Sequence, residues 1–86
     1  CQIRPRSGFA YGYGITLVNS PGSVDADFRG TVKVILINHG STLFLIQRGM
    51  KIAQMVFTPV VKVQPEWSDE LSETVRGSNG FGSTGK

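Results

Sequence analysis

Residues 31–46, TVKVILINHGSTLFLI, decide the fold class. The stretch begins by alternating polar and apolar residues and then runs apolar through Ile35, Leu36 and Ile37. β-Branched residues are stiff at χ1 and suit a pleated, half-buried surface. Asn38, His39, Gly40 and Ser41 form a cluster of turn residues, and residues 42–46 (TLFLI) resume the apolar run. The pattern predicts a hairpin, with residues 42–46 as the return strand.

The same signals extend in both directions. Upstream, Ile15, Thr16, Leu17 and Val18 read as a short strand. Downstream, Arg48 and Gly49 break the chain, and residues 52–63 (IAQMVFTPVVKV) read as one long strand or two. Pro59 marks an edge or a bulge there, because proline cannot donate to a ladder. No window of this body sustains a helical period; at most residues 67–75 make one or two helical turns. Short strands separated by Gly and Pro turns predict an all-β sandwich or barrel.

The chain has 86 residues, 40% of them apolar, enough for one small domain with a modest core. Residues 1–65 are the expected β core, 66–75 an acidic linker and 76–86 a glycine-rich arm. Residues 66–73 (EWSDELSE) hold four of the six acids and no base, which leaves nine cations against two acids elsewhere. A basic body suits a polyanion: a nucleic-acid backbone or a phosphate-rich small ligand. Cys1 is the single cysteine, so no disulfide forms within the chain. No run of about 18 apolar residues is present. With no leader visible, the expectation is a cytoplasmic protein, or a nuclear or organellar one if the source is eukaryotic, without membrane association. A start at Cys1 that runs directly into motif predicts further residues upstream.

Four segments carry candidate chemistry. In residues 76–86 (RGSNGFGSTGK), Gly80 to Lys86 fit the spacing G-x-x-x-x-G-K. A phosphate-binding P-loop needs a strand before this motif, and the preceding stretch is polar. The local physics still suits a nucleotide. Glycines let backbone N–H groups approach phosphate oxygens, Ser83, Thr84 and Lys86 add donors, and Phe81 between two glycines is free to stack on a base. The plain reading is an unstructured tail. Next, Arg4, Arg6, Ser7 and Gly8 crowd forked donors into five residues, as phosphate recognition requires; the plain reading is a basic turn. Between Gly22 and Gly30, Asp25 and Asp27 share a face if extended. One carboxylate can serve as general base, or the pair can hold a metal; two solvated aspartates are the plain alternative. Finally, Gln54 lies within an apolar strand, where a polar amide needs a partner or a ligand. His39 and Cys1 have no partner nearby in sequence and read as turn and strand residues. Neither a zinc spacing nor a Ser-His-Asp set can be assembled.

Taken in order, these segments resemble the dUTPase family. Its second motif is matched by Arg6-Ser7-Gly8. The third is matched by Asn19, Gly22, Val24, Asp25, Asp27, Phe28, Arg29 and Gly30 at the family's spacing. Gly49, Lys51, Ile52, Ala53, Gln54, Met55 and Phe57 resemble the fourth. Arg76, Gly77 and residues 80–85 (GFGSTG) resemble the fifth. The similarity spans essentially the whole chain.

The resemblance implies a jelly-roll β subunit in a homotrimer whose active sites are shared between subunits. It implies hydrolysis of dUTP to dUMP and pyrophosphate, with Mg2+ bound through the substrate triphosphate. By position, Asp25 is the general base. Asn19 binds uracil, together with backbone at Gly22, Ser23 and Val24 in a hairpin running from Asn19 to Asp25. Phe28 sits under the deoxyribose. Arg6, Ser7, Gly8, Lys33 and Gln54 face the triphosphate. Arg76, Phe81, Gly82, Ser83 and Thr84 close over the nucleotide.

The chain departs from the family pattern in places. The first motif and the N-terminal strands are missing from it. Phe28 stands where tyrosine is usual, Asn79 replaces a frequent glycine and Met50 a frequent acid. Three alternatives frame the reading: a dCTP deaminase relative, an impaired or regulatory protein on this scaffold, and a basic β nucleic-acid binder. The acidic residues 66–73 weigh against stable nucleic-acid binding.

Overall fold

The computed structural model of the chain describes residues 1–85. It contains five short strands and one helix: β1 (Gln2–Pro5), α1 (Ser7–Tyr13), β2 (Ile15–Leu17), β3 (Gly22–Ser23), β4 (Leu36–Asn38) and β5 (Ala53–Val56). The class is all-β, as the strand patterns predict. β1 lies at the centre of a three-stranded antiparallel sheet ordered β3-β1-β5, and β2 pairs antiparallel with β4 in a second sheet.

The alternation of side chains along the strands places the core. Ile3 on β1 and Ile15 and Leu17 on β2 are the buried apolar residues, with 5%, 4% and 4% of their surface exposed. Gln2 and Arg4 project from the opposite face of β1, where the Arg4 guanidinium donates to Gln2 Oε1 at 2.9 and 3.2 Å. Arg4 pairs in register with Gln54, and Gln2 with both Ser23 and Val56. One face of this sheet is therefore largely polar and the other is closed by Ile3.

Pairing differs from expectation in three places. Residues 31–37 and 42–46 do not form a hairpin. The ladder edge of β4 is taken by β2 (Thr16 opposite Ile37), and the Ile35 carbonyl accepts from the Val18 amide at 2.9 Å. Asn38, read as a turn residue, ends β4; its side chain organises the turn, with Nδ2 donating to the Thr42 carbonyl and Oδ1 accepting from the Gly40 amide. In residues 42–46 the Phe44 ring packs on α1 and no strand forms. Second, residues 19–25 are not a self-contained hairpin, because β3 pairs with the distant β1. Third, of residues 52–63 only Ala53–Val56 joins a sheet, and the strand ends before Pro59. Residues 67–75 take up no helical turn.

Helix α1 was not legible from periodicity. Its sequence, SGFAYGY, carries two glycines, and its N-cap residue Arg6 makes no side-chain cap. Tertiary contact holds it. Phe9 and Tyr13, one turn apart, meet edge-on at 6.3 Å, and each lies 5.0 Å from the Phe44 ring. Gly14 ends the helix in the left-handed conformation (φ 72°), with its N–H turned back to the carbonyls of Ala10 and Phe9. A Cβ on Gly14 would stand 2.7 Å from the Gly40 amide nitrogen, so the two chain segments meet where neither has a side chain.

Candidate active site

The segment after β3 builds the first part of the site. Val24 and Cys1 exchange backbone hydrogen bonds of 2.8 and 2.9 Å, which carries the β1–β3 ladder one residue past its formal end. The chain then turns, and the Phe28 amide donates to the Asp25 carbonyl at 3.1 Å. Gly30 lets the Phe28 ring fold back. A Cβ there would lie 2.7 Å from the Phe28 Cζ, so alanine would displace the ring. Together with Lys33 this segment encloses a cleft of about 280 Å³ lined by Ser23, Val24, Asp25, Phe28, Thr31 and Val32. A carboxylate, an aromatic ring, a cation and strand-end backbone thus share one cavity. Asp25 also borders a larger hollow of about 770 Å³, together with Asp27, Gln2 and Lys62.

The junction of β1 and α1 builds a second part. Arg6, Ser7, Gly8 and Phe9 line a cavity of about 330 Å³ with Gln54 of β5. Gln54 Nε2 lies 3.4 Å from the Pro5 carbonyl, which leaves its amide oxygen unengaged by that contact. Arg6 and Gln54 also border a neighbouring groove with Lys51 and Val32. A guanidinium, a hydroxyl and an amide in the first cavity, with a second cation, Lys51, in the adjoining groove, suit an anion rich in oxygens.

Within one chain the two parts are separate. Asp25 shares no cavity with Arg6, Ser7 or Gln54; Val32 is the wall common to the Asp25 cleft and the Arg6 groove. Asn19 is not in the lining of the cleft; a Cβ on Gly22 would stand 3.2 Å from its Nδ2. Gly22 itself is buried in the ladder opposite Ile3. Arg76, Phe81, Gly82, Ser83 and Thr84 line none of these cavities. Their segment is a chain of tight turns: Ser83 donates to the Gly80 carbonyl at 3.2 Å and Gly85 to the Gly82 carbonyl at 3.0 Å. Phe81 (φ 47°) is fully exposed. Lys86, read as a donor of this arm, lies outside the described residues.

Sequence reasoning missed Thr31, Val32 and Phe9 as lining residues. Thr31 and Val32 were read only as strand positions, although they directly follow the glycine against which Phe28 folds. The aromatic pair Phe9 and Tyr13, spaced by four, was the available sign of α1.

The dUTPase family model matches residues 1–85 of the chain. The chain is similar to proteins named deoxyuridine 5'-triphosphate nucleotidohydrolase. It is 61% identical over 84 residues to that of Gloeothece citriformis, covering 98% of the chain and 58% of the relative. Against the Roseobacter denitrificans protein the identity is 64% over 84 residues, with 98% and 55% covered. Against the Clostridium tetani protein it is 58% over 85 residues, with 99% and 59% covered. The chain thus spans somewhat more than half the length of these relatives.

Proposed function

The chain belongs to the dUTPase family, and from that premise we propose that the protein hydrolyses dUTP to dUMP and pyrophosphate. One observation carries the reading: Ser23, Val24, Asp25, Phe28 and Lys33 line a single cleft. Asp25 takes a proton from a water held in that cleft. The water oxygen attacks the α-phosphorus, and the bond from that phosphorus to the bridging oxygen breaks with pyrophosphate leaving in line. The Phe28 ring lies under the deoxyribose, where a 2′-hydroxyl would collide with it. Backbone at Gly22, Ser23 and Val24 reads the uracil edge, with Asn19 holding that backbone or reaching the base. A pocket that satisfies its hydrogen bonds only with uracil rejects bases that leave them unpaired.

Arg6, Ser7, Gly8 and Gln54 take the triphosphate, with Lys33 adding positive charge from the base side. Charge spreads over phosphate oxygens as pyrophosphate departs, so these donors act mainly by position and field. Among the described residues no three His, Cys, Asp or Glu side chains gather to cage an ion. Mg2+ is read as entering on the substrate, since that ion commonly keeps waters and phosphate oxygens as ligands. When bound, it neutralises phosphate charge.

The separation of the two clefts supports a homotrimer in which the base-binding cleft of one subunit faces the phosphate cavity of another. The arm of residues 76–86 then closes over the nucleotide, with Phe81 stacked on uracil and Arg76, Gly82, Ser83 and Thr84 at the phosphates.

The test is pyrophosphate release from dUTP by the intact protein, with and without magnesium, beside Asp25→Asn. Magnesium-dependent release that Asp25→Asn abolishes is the expected result. Ammonia from dCTP without pyrophosphate would reassign the protein to a deaminase. Nucleotide binding with no turnover would make it a regulatory protein.

A further inference from the structure

Arg29 lines none of the clefts described above. Its guanidinium is nevertheless committed. Nη1 donates to the Ala26 carbonyl at 2.9 Å and to the Phe28 carbonyl at 3.0 Å. Both carbonyls belong to the turn that the Phe28 amide closes onto the Asp25 carbonyl. Two of its peptide oxygens are thus gathered by one nitrogen. On the other side of Asp25, Val24 is fastened by its reciprocal pair with Cys1. Asp25 therefore lies between two anchored points: a ladder before it and a stapled turn after it.

The chemistry favours arginine for such a staple. A guanidinium is always charged and planar, and it carries several donors in a fixed fork, whereas neutral side chains of this length offer weaker or fewer donors. Charge-assisted bonds to carbonyls are stronger than neutral ones. A surface arginine without a task would leave its head in water. This one folds back over three residues of its own chain.

We propose that Arg29 is a positioning residue that sets the Asp25 carboxylate toward its water by stapling the Asp25–Phe28 turn. The inference rests on the reading of Asp25 as the general base. A loosened turn displaces the base without removing any group that touches substrate. The Phe28 ring stays seated against Gly30, so the loss falls chiefly on the chemical step and dUTP binding changes little. A displacement of about 1 Å at a reacting group can cost on the order of 100-fold in rate.

The experiment compares Arg29→Met and Arg29→Ala with Asp25→Asn in the intact protein, using dUTP and magnesium. Arg29→Met keeps the apolar stem and loses the donors. Its kcat is expected to fall roughly 10- to 100-fold, with KM changed by less than about three-fold. Millimolar guanidinium is expected to restore part of the kcat of Arg29→Ala, where matched sodium chloride does not, and to do nothing for Asp25→Asn. In Arg29→Met, amide exchange should quicken at Phe28 and stay unchanged at Ile3 and Ile15. A kcat within about two-fold of the parent would overturn the proposal. So would a rise in KM alone, which would make Arg29 a substrate contact. Quickened exchange throughout β1 and β2 would also overturn it, because the residue would then be serving general stability. If Asp25→Asn keeps the parent rate, the reading of the base itself fails, whatever Arg29 does.

Discussion

At the residue scale the clearest prediction concerns Asp25. It is exposed, and its backbone carbonyl accepts the hydrogen bond from the Phe28 amide. Asparagine keeps the shape and removes the base. Asp25→Asn is therefore expected to lower kcat by about 10²- to 10⁴-fold with an unchanged unfolding midpoint, measured by pyrophosphate release and urea titration. Gly14 is the opposite kind of position. Its φ of 72° and the 2.7 Å that would separate a Cβ from the Gly40 nitrogen both oppose a side chain. Gly14→Ala is expected to cost about 2 kcal/mol or more, read as a lowered urea midpoint at unchanged slope. The structure gathers some of the candidate site residues and leaves Asn19, Gly22 and the arm residues outside the two cavities. Asp25 with Ser23, Val24, Phe28 and Lys33, and Arg6 with Ser7, Gly8 and Gln54, fall into two real cavities. Arg29 was legible only as part of a motif, since its partners are carbonyls and any sequence carries those.

At the element scale, strand character survived in part, at residues 15–17, 36–37 and 53–56, while residues 31–35, 42–46 and 57–63 form no strand and the pairing differed. A run such as residues 31–37 states that its side chains want burial, but it does not say which edge will meet it. β2 takes the edge of β4, and residues 42–46 instead place Phe44 against α1. The helix itself follows from that aromatic contact, because a seven-residue helix with two glycines is not stable on propensity. The arm is the element with least structure of its own. Every residue of 76–85 is exposed, and its bonds are local turns. Ending the protein before Arg76 is therefore expected to leave the melting temperature unchanged within about 1 °C. On the proposed role of the arm in closing over substrate, it should lower the rate of dUTP hydrolysis at least about 100-fold. Full activity in the shortened protein would remove the arm from the mechanism.

At the scale of the molecule, the dimensions describe a surface awaiting cover. The radius of gyration is 18.8 Å, where a compact domain of this length has about 12 Å. The accessible surface is 8238 Å², against roughly 5000 Å² for a compact monomer of the same mass. Val60, Val61, Val63, Trp67, Leu71 and Val75 are each at least 80% exposed. β3 and β5 end the three-stranded sheet with unpaired edges. Small β subunits commonly answer such exposure by assembling. The intact protein is expected to sediment at three times its chain mass, and its melting temperature should rise with protein concentration. A monomer with a concentration-independent transition would refute the shared-site arrangement.

The amino-acid order by itself determined the β class, the basic charge, the acidic break before the arm and the grouping of donors and carboxylates into motifs. These properties are local, because side-chain type and spacing state what chemistry a segment carries and which period it follows. Only the tertiary structure decided that β2 rather than residues 42–46 pairs with β4, that α1 exists, that Val32 walls both the Asp25 cleft and the groove beside Arg6, and that Arg29 bonds the turn of Asp25. Each of these depends on which distant group reaches a given edge, ring or carbonyl, and that competition is resolved among all parts of the chain at once.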